Sequence, residues 1–325
     1  METFPRPSRA AGSADPRVLA PRTLPTSESY DPVERGEQLR RVRSGSLVRV
    51  RRGVYVHAET GPSDGPARAR QQHLLRQVRG VTERFTTPYW FSHETAALLW
   101  GCWTWRLGTE IHLTQLGRPK VRPEADPSTR RHWTALDPRD RATSDGVPLT
   151  SLERTVVDCA RTLRPAQALV IADSALRIGA DPRGIARCLD AARGRRGVRR
   201  ARQTLEMADA ASESPGETVV RWMLHDAGLP AMTHGVEVTT RRGLFRLDLA
   251  DVAAKVAIEF DGAVKYGGAF GDGASKLWAE KQRHDALTEQ GWTVIHVTWD
   301  ELGDTAGLAG RVRTARAAVR REPRT

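Results

Sequence analysis

Cysteine is scarce in this chain: Cys102, Cys159 and Cys188 are the three it has, far apart and without a C-x-x-C pair. That excludes a disulfide scaffold and a thiolate zinc site, and it points to a reducing compartment, the cytoplasm. Long apolar runs are missing too. No stretch approaches the ~20 residues that a membrane span needs, so no membrane partner is expected. Residues 1–29 hold Arg, Pro, Ser and Ala without periodicity and without an apolar segment, which excludes a secretory signal and reads as a disordered tail. Acidic residues are the minority: 51 Lys+Arg face 39 Asp+Glu, a formal charge of +12. Such an excess favours a polyanionic partner, nucleic acid before an anionic membrane surface, and charge alone does not separate DNA from RNA.

The basic residues are clustered rather than scattered. Residues 31–57 hold seven Arg against three acids, and residues 193–202 hold six Arg and no acid. Arg195, Arg196, Arg199 and Arg200 in the second cluster are therefore candidate DNA contacts. In the first cluster, Pro32–Arg43 has helical spacing and stops at Ser44-Gly45. Leu47–Val56 then alternates through Gly53 as a β-hairpin carrying Arg49, Arg51 and Arg52. A short helix followed by a basic hairpin is how a winged helix presents its wing to a phosphate backbone.

With 325 residues the chain is long enough for two or three domains with cores of their own. Helices are expected at 66–79, at His93–Trp100 capped by Ser92, at 152–163, at Pro165–Arg177 and at Gly184–Ala192, with strands at Glu110–Leu116 and Arg131–Leu136. His93 and Glu94 read as the cap and first turn of their helix. The nine Trp offer base stacking or core packing. Asp209–Ser214 is a polar, acidic boundary. Beyond it the expected order is helix, strand, strand, loop, helix, strand, helix, the loop being the five-glycine segment Gly262–Ser275.

The most informative pattern lies after that boundary. Leu244–Leu249 and Val256–Asp261 both alternate with period two. A turn centred on Ala253-Ala254 sets Asp248 opposite Glu259, with Leu247, Leu249, Ile258 and Phe260 on the other face. Carboxylates paired so stand ~5 Å apart at Cβ and repel. A hard divalent cation turns that repulsion into coordination. The same register sets Arg246 opposite Asp261, and an ordinary surface ion pair accounts for half of these charges. Both readings stand at this point.

The ordered set Ser214-Pro215-Gly216-Glu217, Arg246-Leu247-Asp248-Leu249-Ala250, Ile258-Glu259-Phe260-Asp261-Gly262, Glu280–Asp285 and Gly291–Val297 resembles the very-short-patch-repair-endonuclease-like group of the PD-(D/E)xK nuclease superfamily. The resemblance implies an α/β (α+β) fold with a restriction-endonuclease-like mixed sheet flanked by helices over residues 212–325. It also implies a metal-dependent DNA endonuclease with Mg²⁺ or Mn²⁺ held by Asp248, Glu259 and Glu217 and by the Phe260 carbonyl. Where the superfamily places its lysine, this chain has Asp261; Lys265 and Lys281 are the candidate cations, with Arg283 or His284 assisting. His296 on the last strand reads as structural. The stretches Ser46–Tyr55, Phe91–Trp100 and Leu149–Asp158 resemble the AbiEi-type antitoxin region of abortive-infection systems. That resemblance implies a winged-helix-like unit at 30–60 and an α/β middle domain at 65–208, and it adds an alternative function. The chain would then be a non-cleaving DNA-binding antitoxin or regulator of a type IV toxin–antitoxin-like system. Its partners would be DNA and a cognate toxin or second subunit, with no small-molecule cofactor.

Overall fold

The structure, a computed structural model, describes residues 26–27, 32–44, 46–51, 54–57, 65–82, 87–118, 128–262 and 273–321. Arg52 and Lys265 lie outside them; Arg49 and Arg51 enter only as strand backbone. The fold is α+β. The chain divides into two compact units, one of 1–162 and 178–201, the other of 163–177 and 202–325. Among the described residues no helix is long and apolar enough to cross a membrane.

The first unit opens with β1 (Thr26–Ser27), α1 (Pro32–Arg43), β2 (Leu47–Arg51) and β3 (Val54–His57), a three-stranded antiparallel sheet in the order β1-β3-β2. Strand β1 falls inside the stretch expected to be a disordered tail. It pairs by main-chain bonds with the open edge of β3, Thr26 opposite Tyr55, which needs no apolar periodicity.

A second, five-stranded sheet follows. It is built from β4 (Trp90–Phe91), β5 (Ile111–Gln115), β6 (Thr129–Trp133), β7 (Arg141–Ser144) and β8 (Val147–Thr150), in the order β6-β5-β4-β8-β7. Helices α2 (Pro66–Thr82), α3 (His93–Leu99), α4 (Leu152–Thr162) and α6 (Pro182–Ala191) belong with it. Its core gathers Leu74, Val78 and Val81 of α2 with Phe91, Ile111, Leu113 and Leu149 of the sheet. Strands β4, β7 and β8 were not expected. The β7–β8 turn is Asp145-Gly146, both at positive φ (50° and 79°), and that dipeptide is the strongest short-range hairpin signal there is. Under α4 lies an ion network: Arg154 bonds Asp158 at 2.8 Å and Asp140 at 3.2 Å, and Arg187 reaches Asp140 at 2.7 Å.

Ser92 does not cap α3 as expected. Its hydroxyl makes no cap bond and lies 3.0 Å from Nδ1 of His93, which enters the helix at φ 54°. Sheet pairing sets His112 and His132 beside it. Burial holds all three imidazoles neutral, pushing His112 down to about 3 and His132 to about 4, with His93 well below its ordinary value.

In the second unit α5 (Pro165–Arg177) packs on α8 (Pro215–Asp226). Helix α7 (Val198–Leu205) carries the chain across from the first unit. Ser214 caps α8 by accepting the Glu217 N–H at 3.2 Å, and Pro215 pre-sets its first turn. Strands β9 (Thr233–Thr240), β10 (Gly243–Asp251), β11 (Val256–Asp261) and β12 (Thr293–Thr298) form a mixed sheet ordered β12-β11-β10-β9, parallel only between β11 and β12. Helices α9 (Gly273–Glu289) and α10 (Thr305–Arg321) complete it. Strand β9 is the one this region was not expected to have. Its Thr, His and Gly residues and the positive φ of Gly235 (58°) obscure the alternation.

Candidate active site

Strands β10 and β11 pair Leu249 with Ile258, Ala250 with Ala257 and Asp251 with Val256, the register read from the alternation. Asp248 and Glu259 stand one step beyond; Leu247, expected on the face opposite to Asp248, gathers with Ala250, Ala257, Leu287 and Trp292 in one core cluster. Leu247, Leu249 and Ile258 are wholly buried. Asp248 Oδ2 accepts the Phe260 N–H at 2.9 Å. Glu217, in the first turn of α8, accepts the Glu213 N–H at 3.0 Å. Burial raises the carboxyls of Glu217, Asp248 and Glu259 above their usual range. The Asp248 charge adds to the rise at both Glu217 and Glu259.

Gly216 explains how α8 reaches this edge of the sheet. A Cβ there would fall 2.1 Å from the Phe260 ring, so only glycine lets the helix start lie on that ring. Phe260 in turn meets Trp299 edge-on, centroids 4.9 Å apart, and Trp299 Nε1 donates to the Gly262 carbonyl at 2.9 Å. The Phe260 carbonyl accepts the Gly262 N–H at 3.1 Å.

The parallel pairing of β11 with β12 sets His296 beside Glu259. Helix α9 brings Glu280 to the same place, and ligand atoms of Glu259, Glu280 and His296 all lie within 4.8 Å of one another. Glu217, Asp248 and Glu259 do not form such a group among the described residues. Arg283, one turn along α9 from Glu280, donates to Glu259 Oε1 and, at 2.9 Å, to the Arg246 carbonyl. Burial outweighs that guanidinium, so the Glu259 carboxyl is still raised. His296 Nδ1 lies 3.1 Å from Asp261 Oδ2. Arg246 therefore does not pair with Asp261 as the surface reading expected. It bonds Glu213, because the ladder between β10 and β11 stops short of that position. Lys281 is exposed on α9.

The donor set of two carboxylates and one imidazole suits a divalent first-row ion. The imidazole departs from the all-oxygen shell that Mg²⁺ prefers. No protein-family model matches the chain. Two uncharacterized proteins of Mycobacterium tuberculosis, from strains CDC 1551 / Oshkosh and ATCC 25618 / H37Rv, are similar to it. Each is 28% identical over 274 residues, covering 83% of this chain and 93% of the relative.

The sequence reading passed over Glu280 and assigned His296 to structure. A signal for both existed. Glu280 and Arg283 are spaced i, i+3 on one helical face, and His296 alternates against Ile295 and Val297 just as Glu259 alternates against Ile258 and Phe260. In the first unit, Arg195, Arg196, Arg199 and Arg200 are all exposed. Arg195 donates to Thr134 Oγ1 at 2.6 Å and Arg200 to the Arg161 carbonyl at 3.0 Å. Gly197, at φ 81°, lets this segment pass over α4, since a Cβ there would sit 2.2 Å from the Arg161 carbonyl oxygen.

Proposed function

We propose that this chain is a divalent-metal-dependent DNA endonuclease of the very-short-patch-repair-like type, held on DNA by basic segments of its first unit. The observation that carries the reading is the convergence of Glu259, Glu280 and His296 ligand atoms within 4.8 Å, beside two further acids, Asp248 and Glu217, whose carboxyls burial has raised. Glu259, Glu280 and His296 would hold the ion. The chemistry a divalent ion supplies in such a place is activation of water and stabilisation of charge on a phosphate in in-line displacement. Asp261 engages Nδ1 of His296 and so leaves Nε2 as the nitrogen free for a ligand. Arg283, expected only to assist Lys265 or Lys281, is the cation bonded to Glu259 and would serve in their stead: released from Glu259, its guanidinium is matched to a phosphate oxygen pair.

The same Arg283–Glu259 pair, together with Asp261 at the lysine position, favours a second reading. In it the site is neutralised from within, and the chain is a non-cleaving DNA-binding regulator of antitoxin type. Supercoiled plasmid incubated with the protein and Mg²⁺ or Mn²⁺ separates the two. The endonuclease reading expects nicking that Asp248→Ala and Glu259→Ala each reduce by at least 100-fold. Retarded but uncut plasmid with wild-type protein supports the regulator, and neither retardation nor cutting sinks both.

A further inference from the structure

Three of the nine histidines of this chain meet inside the first unit, and none of them is among the residues proposed above to hold the ion. His93 opens α3, His112 lies on β5 and His132 on β6, and all three offer ligand atoms within 4.8 Å of one another. The parallel pairing of β5 with β6 sets Thr114 beside His132 and Arg130 beside His112, so both imidazoles share one sheet face. His112 Nδ1 and His132 Nε2 are 3.3 Å apart. Two nitrogens bound to one tetrahedral zinc at ~2.0–2.1 Å stand about 3.3–3.4 Å apart, so this edge is already at coordination length. The ring of His93 stacks on His132 with centroids 3.9 Å apart and planes 18° from parallel, and because imidazole lone pairs lie in the ring plane, one of the two rings must turn for both to bind a single ion.

Local backbone and hydrogen bonding support the same arrangement. His93 holds a left-handed φ of 54°, a conformation that costs energy in a non-glycine residue and gathers at ligand clamps. Ser92 gives up capping α3 to engage His93 Nδ1, as the outer partner of a metal-bound histidine does. Thr95 accepts the His112 N–H at 2.9 Å and so ties β5 to the helix that presents His93.

We infer that His93, His112 and His132 form a binding site for a zinc-class transition metal, with the fourth position left to water or an anion. Three imidazoles and an open position are a recurrent zinc arrangement. Arg154 and Arg161 act on His93, and Arg130 and Arg161 on His132. With these cations around it, a dication bound by neutral ligands calls for an anion in the fourth position. The site is independent of the acidic cluster of the second unit and of its hard-cation chemistry.

Chelator-stripped full-length protein titrated with Co²⁺ reads the site directly. One equivalent should develop the visible absorption of tetrahedral cobalt, and Zn²⁺ should displace it. A Glu280→Ala/His296→Ala double variant should keep that spectrum, whereas His112→Ala and His132→Ala should lose it. Ser92→Ala should weaken metal binding about 10–100-fold, the usual cost of removing an outer partner. If the histidine variants do not fold, imidazole ¹⁵N shifts of wild-type protein at one equivalent of Zn²⁺ decide, and three side chains should move together. No tetrahedral cobalt signal, a signal lost with Glu280 and His296, one retained by folded His112→Ala, or imidazole shifts that leave these three untouched would each overturn the inference.

Discussion

At the scale of the residue, the acids of the second unit are held where their charge is unwelcome. Burial raises the carboxyls of Glu217, Asp248 and Glu259. A group whose folded pKa lies above its unfolded value favours the fold at low pH, and that contribution is lost as pH rises through the folded value. At neutral pH each such carboxylate therefore weighs against folding until a cation offsets it. Asp248→Asn keeps an oxygen for the Phe260 N–H and removes the repulsion, which for paired like charges is roughly 1 kcal/mol. In chelator-treated protein we expect Asp248→Asn to raise Tm at pH 7 by a few degrees and to change it little near pH 3, below the ~3.9 of an ordinary Asp. Mn²⁺ should raise the Tm of wild type and variant alike, since Glu259, Glu280 and His296 are the residues proposed to hold the ion. A variant that melts below wild type at pH 7 would contradict the sign.

At the scale of the element, the hairpin of β10 and β11 was legible because period-two alternation is local and fixes its own register, which the ladder follows from Asp251–Val256 to Leu249–Ile258, one step short of Asp248 and Glu259. That Glu280, Arg283 and His296 meet at Glu259 was not legible, although each carries a local signal, because they reach it only through a helix crossing and a parallel pairing set across more than 30 residues of chain. The β7–β8 hairpin was legible in its Asp145-Gly146 turn and was missed, whereas β4, two residues long, carries no periodicity to read. Helix α5 had the boundaries its sequence announces, Pro165–Arg177, yet its partner α8 lies about 50 residues on. Asp173 makes that attachment. Wholly buried, it accepts Arg221 Nη2 at 2.5 Å, the Thr218 hydroxyl at 2.8 Å and the Asp209 N–H at 2.8 Å. Asp173→Ala leaves the part-buried Arg221 without its carboxylate and with the Met207 carbonyl as a remaining partner, and we expect it to cost about 3–5 kcal/mol in chemical denaturation. A loss below about 1 kcal/mol would mean that the apolar faces of α5 and α8 suffice alone.

At the scale of the whole molecule, the formal charge of +12 is concentrated in the exposed Arg193, Arg195, Arg196, Arg199 and Arg200 of the first unit. Arg196 and Arg199 are exposed there, and their guanidinium groups make no ion pair among the described residues. Replacing both by Gln should weaken binding to every DNA sequence alike and lower the slope of log K against log salt by about 0.9 for each phosphate that is no longer neutralised. An unchanged slope would remove this segment from the interface. The two units also differ from what linear order suggests. The chain passes between them after residues 162, 177 and 201, so the second unit owns a helix inserted in the span of the first. That interleaving bears on inheritance as well as on folding. A gene segment beginning near codon 212 would encode the acidic cluster but leave behind the helix that neutralises Arg221. The second unit is thus no free-standing cassette from residue 202 onward, and recombination could pass it on intact only from about residue 163, with residues 178–201 of its neighbour carried along.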